Sequence, residues 1–243
     1  MLNKLEPIKS ESLKDIFVSR FEKLILSGEI SIGEKLPSER ELAQKMNVSR
    51  PVVHEGLIKL EAKGLVTMKP RSGSIVNDYR KKGSLSIINT LFNYGKGDLE
   101  PEIIASLLQL RFNMEVENAG LAAVNINEKE LQELKEHIKK ESSIDRDHIE
   151  DVVNLDFEFH LLIAMATHNM IYPLLINSFQ LLYTNLTRRF FNDKTVITDV
   201  FNFHKKFVTA IEMKDSDRSK KIMKEILTHG EIHLKKTINN REN

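Results

Sequence analysis

Residues 36–66, LPSERELAQKMNVSRPVVHEGLIKLEAKGLV, predict two short helices joined by a tight turn. Ser38 and Glu41 have the spacing of a capping box, in which each side chain satisfies an orphan amide at the start of a helix. Ser49 precedes the second helix, and Pro51 falls in its first turn, where a missing amide costs little. The stretch therefore predicts a compact helix-turn-helix pair.

The flanking residues extend this pair into a larger module. Apolar residues recur at helical spacing over residues 11–27, which predicts a helix before the pair. Gly64 is typical of the residue that ends a helix, and residues 65–78 then alternate apolar and polar side chains around Pro70–Gly73. Alternation about such a turn predicts a two-stranded hairpin. Three helices followed by a hairpin form a winged helix-turn-helix.

The remaining two thirds of the chain predict only helices. Several are apolar on more than one face, as in LDFEFHLLIAMA (155–166), which is typical of helices buried in a bundle or at a subunit contact. The fold class is therefore mainly α, with an N-terminal winged helix-turn-helix, its small β-hairpin, and a C-terminal all-α helical bundle. The periodicity places these helices at residues 84–94, 100–124, 127–141, 149–167, 171–192, 196–213 and 215–238, with a break at Gly95–Asp98.

The composition is that of an ordinary globular protein, since 41% of the 243 residues are hydrophobic and 29% are charged. This length favours two domains, which we place at residues 1–78 and 85–243, with the basic linker YRKKGS at residues 79–84. The absence of cysteine excludes disulfides and thiolate metal sites. No apolar run approaches the ~20 residues of a membrane span, and the N-terminus lacks a signal peptide, so a cytoplasmic location is expected.

The net charge of +1 is unevenly distributed along the chain. Residues 1–82 carry 16 Lys and Arg against 11 Asp and Glu, a net charge of +5. Residues 83–243 carry 20 against 24, a net charge of −4. A basic N-terminal part on an acidic body favours a module that faces nucleic acid.

In a helix-turn-helix the second helix lies in the major groove of DNA, with its N-terminal residues at the bases and phosphates. Arg50 can fork onto guanine, and Ser49 with the free amides of the first turn suits a phosphate. Arg40 on the preceding helix is placed to contact the DNA backbone, and Lys69 and Arg71 at the tip of the wing are placed to contact the minor groove or a phosphate. Any one of these could be an ordinary solvated charge, but their combination favours double-stranded DNA as the partner.

The segments LPSERELAQKMNVSR, HEGLIKLEAKGLV and PRSGSIV resemble the DNA-binding domain of the GntR family of bacterial repressors. The resemblance covers about residues 11–77 and implies operator contacts from the residues already named together with Pro51, His54, Ser72 and Gly73. The family usually has Thr-Pro-Val-Arg where this chain has Pro-Val-Val-His, ending at His54. The operator preference is therefore expected to differ from the usual half-site.

The C-terminal part resembles the all-helical ligand-binding (FCD) domain of the FadR subgroup. The resemblance rests on LLQLRFNMEVENAGLAA (107–123), DFEFHLLIAMATHNMIYPLL (156–175) and FHKKFVTAIEMKD (203–215). It implies a sensor domain that binds a small-molecule effector. Since one helix-turn-helix reads one half-site, a homodimer on a pseudo-palindromic operator is expected.

Many members of that subgroup hold a divalent metal with one Asp and three His. Asp156 and His160 are four residues apart and share a helical face, and His204 stands where the third ligand would be. Counting along the chain puts the fourth ligand at Ile226, with His229 one turn later. The set suits zinc, nickel or manganese. The alternative is that His160 and His204 are core histidines hydrogen-bonded to Asp156.

Two effector classes remain open. In the metal-bearing relatives the ion and an arginine hold a small carboxylate, and Arg111 matches that arginine, although a salt bridge with Glu115 is its other interpretation. The segments NMIYPLLINSFQLLYTNLTRRFF and HGEIHLKK resemble instead the fatty-acid-responsive part of the subgroup, which binds long-chain acyl-CoA without metal. That likeness adds Tyr183 and His233 to the effector-binding candidates. In the fatty-acid-responsive proteins a tryptophan stands at the position of His233.

The leading function is a transcription factor in which effector binding re-tilts the sensor helices against the linker. The competing class is an enzyme that uses Asp156, His160 and His204 as a hydrolytic metal centre. No HExxH motif, nucleophile elbow or glycine-rich phosphate loop is present, and Glu158, two residues from Asp156 on a helix, points elsewhere. A non-specific architectural DNA binder would leave the large helical domain without a role.

Overall fold

A computed structural model describes residues 12–94 and 101–239. The chain divides between Asp98 and Leu99 into two compact units. Residues 1–11 and the predicted break at Gly95–Asp98 lie outside the described residues.

The first unit has the predicted winged helix-turn-helix fold. Its hairpin is antiparallel, with Val66 opposite Val76 and Lys69 opposite Gly73. Its core is apolar and includes Phe17, which is 1% exposed. The elements are α1 (Leu13–Leu26), α2 (Glu39–Met46), α3 (Arg50–Ala62), β1 (Val66–Lys69) and β2 (Gly73–Val76).

The predicted capping box at the start of α2 is confirmed. The Glu41 amide donates to the Ser38 hydroxyl at 3.3 Å, and the Ser38 amide donates to the Glu41 carboxylate at 2.8 Å. Helix α3 begins after Ser49 and carries Pro51 in its first turn, but the Ser49 side chain makes no capping hydrogen bond. Its hydroxyl is therefore not used by the helix that it precedes.

Residues 79–82 of the expected linker form a short helix. Helix α4 (Tyr79–Lys82) begins after Asp78, whose carboxylate accepts from the Arg80 amide at 3.2 Å. The Ser84 amide donates to the Lys63 carbonyl at 3.2 Å, which ties the segment to the end of α3. Helix α5 (Ser86–Tyr94) then packs on α1, so these residues belong to the first unit.

Within the described residues, the second unit contains only helices, as predicted. Helices α6, α7, α8, α11 and α12 surround its largest apolar core. Along the described part of the chain, no helix is both long and apolar enough to cross a membrane. The helices are α6 (Pro101–Asn125), α7 (Glu128–Ser143), α8 (Ile149–Ala166), α9 (Ile171–Ser178), α10 (Gln180–Phe191), α11 (Thr195–Glu212) and α12 (Ser216–Asn239).

The prediction of one helix over residues 171–192 is wrong, because the chain bends at Phe179 between α9 and α10. The Ser178 hydroxyl donates to the Leu174 carbonyl at 2.7 Å, and back-bonding of this kind bends helices. Ile176 on α9 and Tyr183 on α10 line the same cavity.

Candidate effector site and DNA-binding surface

Two helices of the second unit bring Asp156, His160 and His204 together. Asp156 and His160 lie one turn apart on α8, and His204 lies on α11. One possible ligand atom from each residue lies within 4.8 Å of the others, and all three side chains are buried. A carboxylate with two imidazoles is a donor set that suits zinc, nickel or manganese.

A buried glutamate lies behind each histidine of this group. His204 Nδ1 lies 2.7 Å from Oε1 of Glu141 on α7, and His160 Nδ1 contacts Glu115 on α6. Because a carboxylate only accepts, we assign the hydrogen to Nδ1 of each ring, which leaves a lone pair on each Nε2. The same carboxylate–histidine arrangement orients the histidine ligands of known metal sites.

The residues present fit a divalent cation. His204 Nε2 is buried, has no hydrogen-bond partner among the described residues, and lies 3.7 Å from Asp156 Oδ1. Leaving a buried polar atom without a partner costs about 1–3 kcal/mol. A cation bound between His204 and Asp156 would remove that cost.

His229, one turn beyond the position expected for a fourth ligand, does not join this group. Its Nε2 faces Asp199 at 4.0 Å, and its ring lies against Phe190 and His233. Ile226, one turn earlier on α12, lines the cavity instead. Three protein ligands leave coordination positions that water or an anion can take.

Arg111 on α6 reaches the candidate metal site formed by Asp156, His160 and His204, which we call the metal group. Its Nη2 donates to the Tyr183 hydroxyl at 2.8 Å and lies 3.3 Å from His160 Nε2, while its Nε donates to Glu115 at 2.5 Å. Tyr183 in turn donates to Asp156 Oδ2 at 2.6 Å. Arg111 therefore makes the salt bridge with Glu115 and also faces the metal group, so its two interpretations are compatible.

The buried charges around Arg111 stabilise one another. Burial opposes ionisation of Glu115, but Arg111 and His160 outweigh it and lower the pKa of Glu115 to about 2. Burial, together with the charge of Asp156, raises the pKa of Tyr183 well above its usual range, so its hydroxyl stays protonated. A permanent cation and a hydroxyl thus stand beside the metal group, which suits the binding of a carboxylate.

A cavity extends from this polar group into apolar surroundings. Arg111, Glu115, Asp156, His160 and Tyr183 line its polar part, and most of the remaining lining is apolar. His233, a predicted effector contact, does not belong to the lining, because its ring lies against His229 and Phe190.

The residues predicted to contact DNA are all exposed in the first unit. They cluster at the α2–α3 pair and at the wing tip, where Arg71 and Gly73 turn the chain with φ of 62° and 86°. The exposed set is Arg40, Ser49, Arg50, Pro51, His54, Lys69, Arg71, Ser72 and Gly73.

Sequence reasoning missed two glutamates at these sites. The carboxylate of Glu39 on α2 lies 2.8 Å from Nδ1 of His54, the residue that stands where the family usually has arginine. Glu141 pairs with His204 from a different helix. Each glutamate is far from its histidine along the chain, and no local motif marks either one.

Two consecutive parts of the chain match known protein families. Residues 17–76 match the family described as bacterial regulatory proteins, gntR family, and residues 77–240 match the FadR C-terminal domain. The fatty acid metabolism regulator protein of Proteus mirabilis (strain HI4320) is 30% identical over 185 residues, which cover 76% of this chain and 75% of the relative. The HTH-type transcriptional regulator YcbG of Bacillus subtilis (strain 168) is 28% identical over 213 residues, which cover 87% and 85%.

A solved structure shares the fold. It is that of Lar, which controls the expression of the Listeria monocytogenes agr system and mediates virulence, and its TM-score is 0.62 at 16% identity over 94% of this chain and 99% of that chain. The relatives are DNA-binding transcriptional regulators and not enzymes. The chain therefore belongs to the gntR family of bacterial transcriptional regulators and carries a FadR-type, effector-binding C-terminal domain.

Proposed function

We propose that this regulator binds a small carboxylate beside a divalent metal held by Asp156, His160 and His204. The observation that carries the proposal is the buried Nε2 of His204, which has no hydrogen-bond partner among the described residues and faces Asp156. Arg111 would donate to the effector's carboxylate, while the Tyr183 hydroxyl donates to Asp156 Oδ2 and holds that side chain in place. The ion would supply Lewis-acid attraction for the same oxygens.

In the first unit, the exposed residues at the start of α3 and at the wing tip contact a pseudo-palindromic operator. Arg50 forks onto guanine, Ser49 and the α3 amides hold a phosphate, and the wing contacts the minor groove or backbone. The protein acts as a homodimer, with one protomer on each half-site. Effector binding in the second unit changes the operator affinity of the first.

A second candidate effector is a long-chain acyl-CoA bound without metal. It is favoured by the 30% identity to a protein named as a fatty acid metabolism regulator and by the apolar lining of the cavity. In that case Asp156, His160 and His204 are core polar residues that hold α8 against α11.

Native mass spectrometry of the gently purified full-length protein distinguishes these two effectors. A dimer with one metal ion per chain, lost in His160→Ala, is expected for the metal–carboxylate sensor. His148→Ala is the matched control, because His148 is 71% exposed at the start of α8, and this variant should keep the ion. A dimer that carries an acyl-CoA mass and no metal would overturn the proposal in favour of the second candidate.

The coupling between effector and operator needs a separate measurement. Operator affinity is compared at physiological salt with and without metal and carboxylate, since affinities at different salt concentrations are not comparable. Equal affinity under both conditions would show that the bound carboxylate is not the signal.

A further inference from the structure

The polar residues of the cavity are concentrated at one place. Arg111, Glu115, Asp156, His160 and Tyr183 are joined to one another by hydrogen bonds and ion pairs. Outside this group the polar side chains of the lining are Thr187 and Glu231 alone, among the described residues. The cavity therefore offers one anchoring point for a charged group.

The apolar lining of the cavity comes largely from two helices, α10 and α12. Tyr183, Leu186 and Phe190 line it from successive turns of α10, and Ile226 and Leu234 line it from α12. From Tyr183 to Phe190 the helix rises by ~10 Å. With carbon–carbon bonds of ~1.5 Å, an extended alkyl chain of roughly eight carbons spans the same length.

A short polar acid would not contact this apolar lining. A hydroxy acid of three carbons would end near the anchoring group and leave the leucine and phenylalanine side chains uncovered. A dicarboxylate would bring its second charge against Leu186 and Phe190, where the described lining offers no cation to pair with it and no hydroxyl except that of Thr187. Burying a charge without a partner is strongly unfavourable.

A coenzyme A thioester fits the charges less well. Among the described residues that line the cavity, Arg111 is the only cation. The remaining charged residue away from the anchoring group is Glu231, which pairs with Lys235 at 2.6 Å. Phosphates would meet an acidic side chain there, and a thioester carbonyl brings no negative charge to Arg111.

We infer that the effector is an unesterified straight-chain carboxylic acid of medium length, with its carboxylate at Arg111 and the metal group and its alkyl chain along α10 and α12. The inference rests on the proposed metal–carboxylate function and names the ligand class of that site. Neither a small polar acid nor an acyl-CoA matches both the polar anchoring group and the apolar lining of the cavity.

The test is a chain-length series on the full-length, zinc-loaded protein. Isothermal titration compares butanoate, hexanoate, octanoate and decanoate, below their micelle-forming concentrations, with lactate, succinate and octanoyl-CoA. Each methylene that enters the apolar part of the cavity should raise the affinity about fourfold, until that part is filled near octanoate. Octanoyl-CoA should bind more weakly than octanoate.

A pair of variants on α10 locates the alkyl chain. Leu186→Trp fills part of the cavity, and because Leu186 is only half-buried the fold should tolerate the larger ring. This variant should flatten the chain-length series, so that octanoate no longer binds more tightly than butanoate. Leu181→Trp is the matched control, since Leu181 is 44% exposed and outside the lining, and it should retain the full series.

The possible outcomes separate the inference from the proposed function. If lactate or succinate binds and affinity does not rise with chain length, the inference is overturned while the metal–carboxylate function stands. If octanoyl-CoA binds more tightly than octanoate, an acyl-CoA is the ligand and the inference is overturned. If no carboxylate of any length binds the zinc-loaded protein, the proposed function itself fails and the inference falls with it.

Discussion

Single residues decide how the metal group is held. Nδ1 of His160 contacts Glu115, and Nδ1 of His204 contacts Glu141. The sequence predicted a role only for Glu115, as a partner of Arg111. Glu141 pairs with His204 and lies within 3.2 Å of His137 Nε2, so it is the centre of a buried cluster. Its position behind His204 makes it a positioning residue for that proposed metal ligand.

We predict that Glu141→Gln weakens zinc binding by about 10–100-fold, the usual effect of losing an outer-shell partner. The amide keeps the shape of the carboxylate but removes the charge that holds the hydrogen on Nδ1 of His204. Competition with a chromophoric chelator gives the affinity. Glu136→Gln on the exposed side of α7 is the control, and equal affinities for the two variants would exclude a positioning role for Glu141.

We predict that Arg50→Ala weakens binding to an operator selected from a random library by about 1–3 kcal/mol and relaxes the base preference at one position. Lys69→Ala, at the wing, should weaken operator and random DNA almost equally, because a phosphate contact does not read sequence. Fluorescence anisotropy at fixed salt measures both. An Arg50→Ala protein that loses affinity for both DNAs alike would mean that Arg50 contacts only the backbone.

At the scale of elements, the sequence was reliable where a helix or turn is specified by neighbouring residues. The capping box of α2 and the hairpin turn were predicted because the interacting groups lie within a few residues of one another. The bend at Phe179 and helix α4 were not predicted, because each depends on hydrogen bonds that apolar periodicity does not report.

The contact between α1 and α3 leads to a third prediction. A Cβ atom at Gly56 would lie 2.3 Å from the ring of Phe17, which is 1% exposed and has no space to move into. Overpacking of this kind costs about 1–3 kcal/mol, more than the gain in helix propensity of about 1 kcal/mol. Gly56→Ala should therefore lower the free energy of unfolding of the first unit.

Urea unfolding followed by circular dichroism measures this change. The control is Ile58→Ala, because Ile58 is 48% exposed on the same helix and its truncation should alter stability by less than about 0.5 kcal/mol. A Gly56→Ala protein as stable as the parent would show that α1 and α3 are packed less closely than described.

At the scale of the whole molecule, the proposed ion links effector binding to stability. An ion that binds only the folded protein stabilises it by about 2.7 kcal/mol at a hundredfold excess over its Kd. For a protein of this size that corresponds to a Tm shift of roughly 5–10 °C. Removal of the metal should therefore be visible in a thermal scan.

We predict that a chelator lowers the Tm of the metal-loaded protein by that amount and leaves the Tm of Asp156→Asn unchanged, because the variant lacks one of three ligands. His148→Ala should respond to the chelator as the parent does. Differential scanning calorimetry at one scan rate gives the comparison. If the chelator leaves the Tm of the parent protein unchanged, metal binding by Asp156, His160 and His204 is contradicted.

The sequence by itself determined the winged helix-turn-helix, the helical second unit and the residues Asp156, His160 and His204. Those features depend on periodicity, caps and turns, which act over a few residues, or on a family likeness. Only the tertiary structure decided that His229 stays apart from the metal group, that Glu39 meets His54 across 15 residues, and that Glu141 meets His204 across 63. Such pairings follow from the way helices pack, and helix packing is set by side chains far apart along the chain.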